Sequence, residues 1–170
     1  VYDILDDLTI YEADEAGLPA ERTVAHHHPF LMERADQVIV SNPVLAERHR
    51  SERDDLILVE NGVDVARFSD PVPSPVGLPN SDGPVIGYRG AVARWFDFDL
   101  LRSVAVAEPD WSFVLVGPID RRVAAEVESI ASLPNVEFIG ERGSDAMPAY
   151  AQTFDVEAVW FVVDELTKGV

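Results

Sequence analysis

A glycine-rich loop that carries arginines has the residue types needed to hold a phosphate. Residues 87–95 read Gly-Tyr-Arg-Gly-Ala-Val-Ala-Arg-Trp. Glycines let the backbone approach a ligand, arginine grips phosphate, and the N-terminus of a following helix favours anions. The loop lacks both the G-x-G-x-x-G and the G-K-[ST] spacing. Two interpretations therefore stay open: a diphosphate site, or a tight strand-to-helix turn with a solvated arginine. Trp95 and Phe96 either stack on a base or sugar, or belong to the core.

Two acidic pairs lie next to apolar runs. Asp6 and Asp7 follow residues 1–5, and Asp164 and Glu165 follow the last apolar run. Adjacent side chains at a strand end face different ways, which disfavours a shared metal ion. For Asp6 and Asp7 the alternatives are contact with a substrate in a cleft, helix capping with solvation, and metal binding. The pattern alone favours solvation for Glu165.

Three consecutive histidines, His26, His27 and His28, raise the question of a metal site. They lack the i, i+4 spacing of helical zinc sites, and the sequence shows no second group of ligands. We interpret them as polar surface or the rim of a cleft, with substrate contact and metal binding as the alternatives. The sequence predicts no metal site.

The elements that must position these residues alternate between apolar runs and helical patterns. Strands recur about every 20 to 27 residues, with helices between them, which indicates right-handed crossovers on parallel sheets. The sequence therefore predicts an α/β fold with parallel sheets and flanking helices. The predicted strands are residues 1–5, 37–40, 56–59, 85–88, 113–116, 136–139 and 156–162.

A proline-rich stretch divides the chain. Residues 70–84 hold five prolines and two glycines without apolar periodicity, which is typical of a linker. We predict one Rossmann-like domain in residues 1–69 and a second in residues 85–170. We expect both to be incomplete, because parallel strands at the two ends of the chain need neighbours. Such open sheets leave oligomerisation possible.

Composition excludes several classes of function. The chain has no cysteine, which excludes disulfides and thiolate chemistry. The formal net charge of −18 repels nucleic acid. The uncharged apolar stretches are far shorter than the roughly 20 residues of a membrane span, so we expect none. A cytoplasmic setting is compatible with these features.

Several segments resemble, in order, those of family 4 glycosyltransferases, which have two Rossmann-like domains in the GT-B fold. Residues 33–45 are similar to the family segment "E-x-A-D-x-V-x-x-x-S-x-x-L". Residues 59–64 with Phe68 are similar to "P-N-G-V-D-x-x-x-F", although Glu60 replaces the proline. Residues 87–97 resemble "G-Y-x-G-A-x-A-x-W-F-D". Residues 1–7, 111–118, 135–140 and 164–167 continue the resemblance, which covers nearly the whole chain.

The resemblance implies a donor site in the second domain and an acceptor site in the first. It assigns the donor diphosphate to Gly90 and Arg94, and the nucleotide pocket to Gly117. It assigns the donor sugar and phosphate to the loop from Glu165 to Lys168. Asp6 and Asp7 would face the cleft as the catalytic candidates. Many relatives have a phosphate-binding arginine and lysine in the first loop, where this chain has Ala91 and Trp95, so Arg94 would serve alone.

The function that the resemblance implies is transfer of a sugar from a nucleotide-sugar donor to a hydroxyl of a glycan or lipid-linked acceptor. A helix N-terminus, backbone amides and Arg94 would stabilise the departing nucleoside diphosphate without a metal or other cofactor. We expect the chain to be inactive alone and to act in the cytoplasm or at the inner face of the membrane. The alternatives are a flavodoxin-like interaction or regulatory module without enzymatic activity, and a sugar-nucleotide epimerase.

Overall fold

The described residues form two compact units. The computed structural model describes residues 1–6, 19–75, 78, 83–164 and 167, without the side chains of residues 19–25. The first unit is built on Val1–Val63 and the second on Asp64–Val162. None of the helices in this described part of the chain is long and apolar enough to cross a membrane.

The first unit is a parallel sheet covered by helices. Its strands are β1 (Tyr2–Ile4), β2 (Val38–Val40) and β3 (Ile57–Leu58), paired in the order β1-β2-β3. Its helices are α1 (Pro19–Arg34) and α2 (Pro43–His49). A buried core joins the strands to the two helices and consists of Ile4, Met32, Val38, Val40 and Leu45.

Local chemistry fixes both helices of the first unit. The side chain of Asn42 caps α2 by accepting a hydrogen bond from the Leu45 amide at 2.9 Å. Pro43 suits the first helical turn because its missing N–H has no partner there. At the end of α1, the Arg53 guanidinium donates to the carbonyls of Met32 and Ala35 at 2.9 and 2.6 Å. Arg53 therefore ties the turn after α2 to the end of α1.

The second unit is a four-stranded parallel sheet. Its strands are β4 (Val85–Arg89), β5 (Ser112–Val116), β6 (Val136–Gly140) and β7 (Val156–Glu157), in the order β6-β5-β4-β7. All five residues of β5 are buried, as expected for a central strand with both faces covered. Its helices are α3 (Val65–Ser69), α4 (Phe98–Ala107), α5 (Ala124–Ala131) and α6 (Met147–Thr153).

The parallel α/β architecture confirms the predicted fold class, but the last strand is shorter than predicted. The sequence predicts a strand over residues 156–162, whereas β7 ends at Glu157. Beyond it, Trp160 turns into the core, where its ring lies 6.0 Å from that of Phe113. Phe161 forms an isolated antiparallel bridge with Phe96. Trp160 therefore enters the core, with Ala158 and Phe161 packed against it, while Val159 and Val162 are exposed.

The start of the predicted linker is hydrogen-bonded to α6. The Gln152 side chain donates to the carbonyls of Phe68 and Asp70 at 3.0 and 2.8 Å and accepts from the Val72 amide at 3.2 Å. These bonds attach α3 and the residues after it to the second unit. The domain boundaries at 69 and 85 stay a prediction.

Candidate functional site

A cleft opens where three strands of the second unit end. Because the strands are parallel, the loops after β4, β5 and β6 meet at one edge of the sheet, where ligands bind in open α/β sheets. The cleft has a volume of about 410 Å³. It is lined by residues 89–91, residues 116–118, Glu141, Arg142 and Met147.

Backbone forms much of the floor of this cleft. Gly117 has φ +153°, a conformation that is essentially restricted to glycine, and a Cβ there would lie 1.9 Å from the Gly90 carbonyl oxygen. The Gly90 amide donates to the Val116 carbonyl, and the Gly117 amide donates to the Gly140 carbonyl, each at 3.0 Å. The three loops are thus tied together, and a ligand can approach main-chain groups closely.

A buried tyrosine supports the loop after β4. The Tyr88 hydroxyl donates to the Ala91 carbonyl at 2.8 Å. Burial raises the pKa of this phenol, so it remains a neutral donor at physiological pH. A Cβ on Gly90 would lie 2.8 Å from the same hydroxyl. A side chain at position 90 would therefore require the Tyr88 ring to shift.

Of the two arginines that line the cleft, Arg142 is the one without a carboxylate partner among the described residues, and Glu141 adds an acidic side chain to the same lining. The Arg89 guanidinium forms two hydrogen bonds to the Glu157 carboxylate, at 2.5 and 2.7 Å, which neutralise it. Arg142 is exposed and donates to the Glu141 carbonyl at 2.9 Å. Within the described residues it forms no ion pair with a carboxylate. Arg142 is therefore available to grip a phosphate.

The loop predicted to bind phosphate lines the cleft with Gly90 but not with Arg94. Gly90 and Gly117 both line the cleft, so the structure brings these two predicted residues together. Arg94 is exposed and is not among the lining residues. Asp97 caps α4 by accepting from the Leu100 amide at 2.8 Å, so its carboxylate already occupies the helix N-terminus that the sequence offered to an anion. The role of Arg94 stays a prediction.

The aromatic residues of this loop differ in their surroundings. Phe96 is buried, and its ring contacts that of Tyr88 edge to face, with the centroids 5.2 Å apart. Phe96 therefore belongs to the core, as one of the two alternatives predicted. Trp95 is half-buried, and its carbonyl accepts from the Val162 amide at 2.8 Å.

Among the remaining predicted site residues, only Asp6 is described. It is exposed in a bend after β1, at the carboxyl edge of the first sheet. The Ser41 hydroxyl donates to the Leu5 carbonyl at 2.7 Å, which joins this bend to the end of β2. Asp7, Glu165 and Lys168 lie outside the described residues, and their roles stay predictions.

The chain is similar in sequence and in structure to glycosyltransferases. It is 28% identical over 132 residues to TuaH of Bacillus subtilis (strain 168), described as a teichuronic acid biosynthesis glycosyltransferase; the match covers 74% of this chain and 33% of TuaH. No protein-family model matches the chain. HepE of Anabaena, solved with UDP and glucose, matches 92% of this chain with a TM-score of 0.64 at 19% identity. The fold is that of GT-B glycosyltransferases.

A second solved structure agrees with this result. Sucrose-phosphate synthase of Thermosynechococcus elongatus matches 91% of this chain with a TM-score of 0.65 at 22% identity. The chain spans about a third of the length of TuaH, 44% of HepE and 42% of the synthase. The predicted resemblance to glycosyltransferases of the GT-B fold is confirmed, while membership of family 4 stays a prediction.

Sequence reasoning missed Arg142, one of the two arginines that line the cleft. The residue comes two positions after the end of β6, where the rule for parallel sheets places ligands. The position of Arg142 just after a strand was therefore a usable signal. The family resemblance indicated Arg94, after β4, instead. A loop must be placed in space before its reach into the cleft is known.

A cluster of ligand-type side chains in the first unit was also missed. The His28 Nε2 lies 3.2 Å from Glu52 Oε2, and the His49 Nδ1 lies 2.7 Å from Glu52 Oε1. The sequence showed no second group of ligands for the histidine run, whereas the fold brings His49 and Glu52 beside His28. The local signal was the i, i+3 spacing of His49 and Glu52, but their approach to His28 depends on how α1 packs against α2.

Proposed function

We propose that this chain belongs to a glycosyltransferase that moves a sugar from a nucleotide-sugar donor to a hydroxyl group in the synthesis of cell-surface polysaccharide. The observation that carries the proposal is the cleft at the ends of β4, β5 and β6, which is lined by Gly90, Gly117 and Arg142. The similarity to TuaH supports the reaction class and the polysaccharide context. The acceptor is a glycan or a lipid-linked sugar, handled in the cytoplasm or at the inner face of the membrane.

The ligand of the cleft is the nucleoside diphosphate part of the donor. A diphosphate carries negative charge, and the net charge of −18 repels it everywhere except beside a local cation. Arg142 supplies that cation, and Gly90 and Gly117 let the phosphates approach main-chain groups. HepE is solved with UDP, which makes UDP the first nucleotide to test.

The same groups act on the departing nucleoside diphosphate. As the bond to the sugar breaks, negative charge grows on the terminal phosphate, and fixed donors aimed at that charge lower the barrier. Arg142 fills this role without a divalent metal in our proposal. Asp6 and Asp7 belong to the acceptor side, and Arg94, Glu165 and Lys168 are the further donor contacts that the family resemblance implies.

Titration calorimetry with UDP, GDP and their sugars tests the proposal on the 170-residue chain. Binding is the appropriate readout, because the chain spans only a third of TuaH and we expect no turnover from it alone. We expect one UDP-type nucleotide to bind. Arg142→Gln should weaken it by about 10- to 150-fold, since a hydrogen bond to a charged group contributes about 1.5–3 kcal/mol.

Two matched variants identify the arginine that matters. Arg102 donates to the Ser129 hydroxyl between α4 and α5, away from the cleft, so Arg102→Gln should leave the affinity unchanged. Arg94→Gln tests the residue that the family resemblance favours. Loss of binding in Arg94→Gln with full binding in Arg142→Gln would show that we have chosen the wrong cation. No binding of any nucleotide would refute the donor cleft itself.

A further inference from the structure

Two buried imidazoles and one carboxylate converge in the first unit. His28 and His49 are 4% and 2% exposed, and their ring centroids lie 4.8 Å apart. One carboxylate oxygen of Glu52 contacts His28, and the other contacts His49. One ligand atom from each of the three residues lies within 4.8 Å of the other two. The three residues thus bring two nitrogens and one oxygen close together.

The topology places this cluster at the end of the sheet opposite to Asp6. Helices α1 and α2 each lead back across a parallel sheet, so their last turns lie at its amino edge. His28 lies in the second half of α1, and His49 is the last residue of α2. Tyr2, the first residue of β1, contacts His28 at the same edge, with its hydroxyl 2.9 Å from Nδ1. The cluster is thus separate from the edge where parallel sheets bind substrates.

We propose that His28, His49 and Glu52 form a binding site for a divalent transition-metal ion of the zinc type. Two imidazoles and one carboxylate are a protein ligand set that zinc accepts, with water in the fourth position. In a tetrahedral site with bonds of about 2.0–2.2 Å, neighbouring ligand atoms lie roughly 3.3 Å apart. The distances of 2.7 and 3.2 Å are near this value, but they run to different oxygens of Glu52, and the three ligand atoms lie within 4.8 Å of one another. Binding would therefore draw the three side chains closer, and the Glu52 side chain, 41% exposed, is free to rotate toward the ion.

The surroundings favour a cation at this point. Tyr2 can accept a hydrogen bond from Nδ1–H of His28. The lone pair of His28 Nε2 is then directed toward Glu52. A metal-ligating histidine usually has such a partner on its other ring nitrogen. Glu52 brings one negative charge, and the chain as a whole carries −18. Arg53, next to Glu52, is held away from the cluster by its bonds to the carbonyls of α1 and to Asp55. The ion would join α1 to the turn after α2.

Zinc titration of the untagged 170-residue chain tests the site. Competition with a chromophoric chelator gives the stoichiometry and the Kd, and thermal unfolding followed by circular dichroism shows whether the ion binds the folded state. We expect one Zn²⁺ per chain and a higher unfolding temperature. Glu52→Gln keeps the size and polarity of an exposed side chain, so it should fold, and it should bind zinc at least about tenfold more weakly.

The chain supplies its own matched controls in the histidine run. His26 and His27 are exposed, and their rings lie 5.0 Å apart on α1, beside His28. A double variant, His26→Ala with His27→Ala, should retain the tight site, whereas His28→Asn should lose it. Tyr2→Phe keeps all three ligands and removes only the outer partner, so it should weaken binding by about 10- to 100-fold.

Three results would overturn the proposal. If zinc binding disappears in the double variant, the exposed pair is the ligand. If Glu52→Gln binds as tightly as the natural chain, the carboxylate is not a ligand. If the natural chain binds no zinc and its unfolding temperature is unchanged by the metal, the two histidines only hydrogen-bond Glu52 and hold α1 against α2 without an ion. None of these outcomes depends on nucleotide binding, so the donor cleft is tested separately.

Discussion

Replacement of Gly117 by alanine should be the most damaging glycine substitution in the second unit. The residue has φ +153°, where a side chain costs about 1–3 kcal/mol. The added Cβ would also lie 1.9 Å from the Gly90 carbonyl oxygen, a backbone atom that no side-chain rotation can move. The two loops must separate, which breaks the bonds that close the floor of the cleft. We expect a total loss of about 3 kcal/mol or more, out of the roughly 5–15 kcal/mol typical of a domain.

Two other glycines separate the cost of backbone strain from the cost of the steric clash. Gly140 has φ +77° but nothing within 4 Å of its Cβ position, so Gly140→Ala should cost only the conformational strain, about 1–2 kcal/mol. Gly143 has φ −61° and open space around it. Gly143→Ala should therefore be neutral or stabilise by up to about 1 kcal/mol, through a less flexible unfolded chain.

Tryptophan fluorescence during urea unfolding measures all three variants. The three tryptophans, Trp95, Trp111 and Trp160, belong to the second unit, so the signal reports that unit alone. A loss of 3 kcal/mol moves the midpoint down by about 1–3 M, with a slope of about 1–3 kcal/mol per molar. The order Gly143, Gly140, Gly117 is the expected order of increasing damage. If Gly117→Ala and Gly143→Ala unfold at the same urea concentration, the close approach of the two loops is not a feature of the folded protein.

Three further predictions concern hydrogen bonds in the second unit. Asn135→Ala should cost about 1–3 kcal/mol of unfolding free energy, because its amide donates to three backbone carbonyls between α4 and β5. Asp97→Ala should cost about 1 kcal/mol by removing the cap on Leu100, and Asp97→Asn should restore most of it. Hydrogen bonds from Arg122 lower the pKa of Asp120 to about 2, so the stability that this carboxylate contributes is present above about pH 4 and is lost as the pH falls toward 2. The unfolding temperature of Asp120→Asn should therefore fall less between pH 5 and 3 than that of the natural chain.

The sequence predicted elements best where one physical requirement dominates. Four consecutive apolar residues in β5 have no alternative to a buried central strand, and the strand lies there. The run after Val156 is equally apolar, yet only two residues pair with β4. After Glu157 the chain leaves β4, although β4 continues to Arg89, and Trp160 lies in the core beside Phe113. Apolar character alone does not distinguish these outcomes, because the second run is as apolar as β5 and yet Val156, Val159 and Val162 are exposed.

The candidate site was predictable only in its backbone. Gly90 and Gly117 stand at the ends of predicted strands, and the rule for parallel sheets brings such positions together. The choice between Arg94 and Arg142 depends on where each loop turns after its strand. The loop of Arg94 turns inward at Val92 and Ala93, which are buried, and the guanidinium is not among the groups that line the cleft. Loop direction of this kind follows from tertiary packing, which a single sequence does not contain.

The two proposed sites use the parallel sheet in opposite ways. At the carboxyl edge of the second unit, three loops converge because their strands are parallel, and glycines clear the space so that main-chain groups reach a ligand. At the amino edge of the first unit, the last turns of two helices converge for the same topological reason, and their side chains fill the space instead. A cleft of the first kind leaves a trace in the sequence, since glycine is demanded at fixed positions. A cluster of the second kind leaves almost none, because His28 and His49 are 21 residues apart in the chain and meet only when both helices have packed.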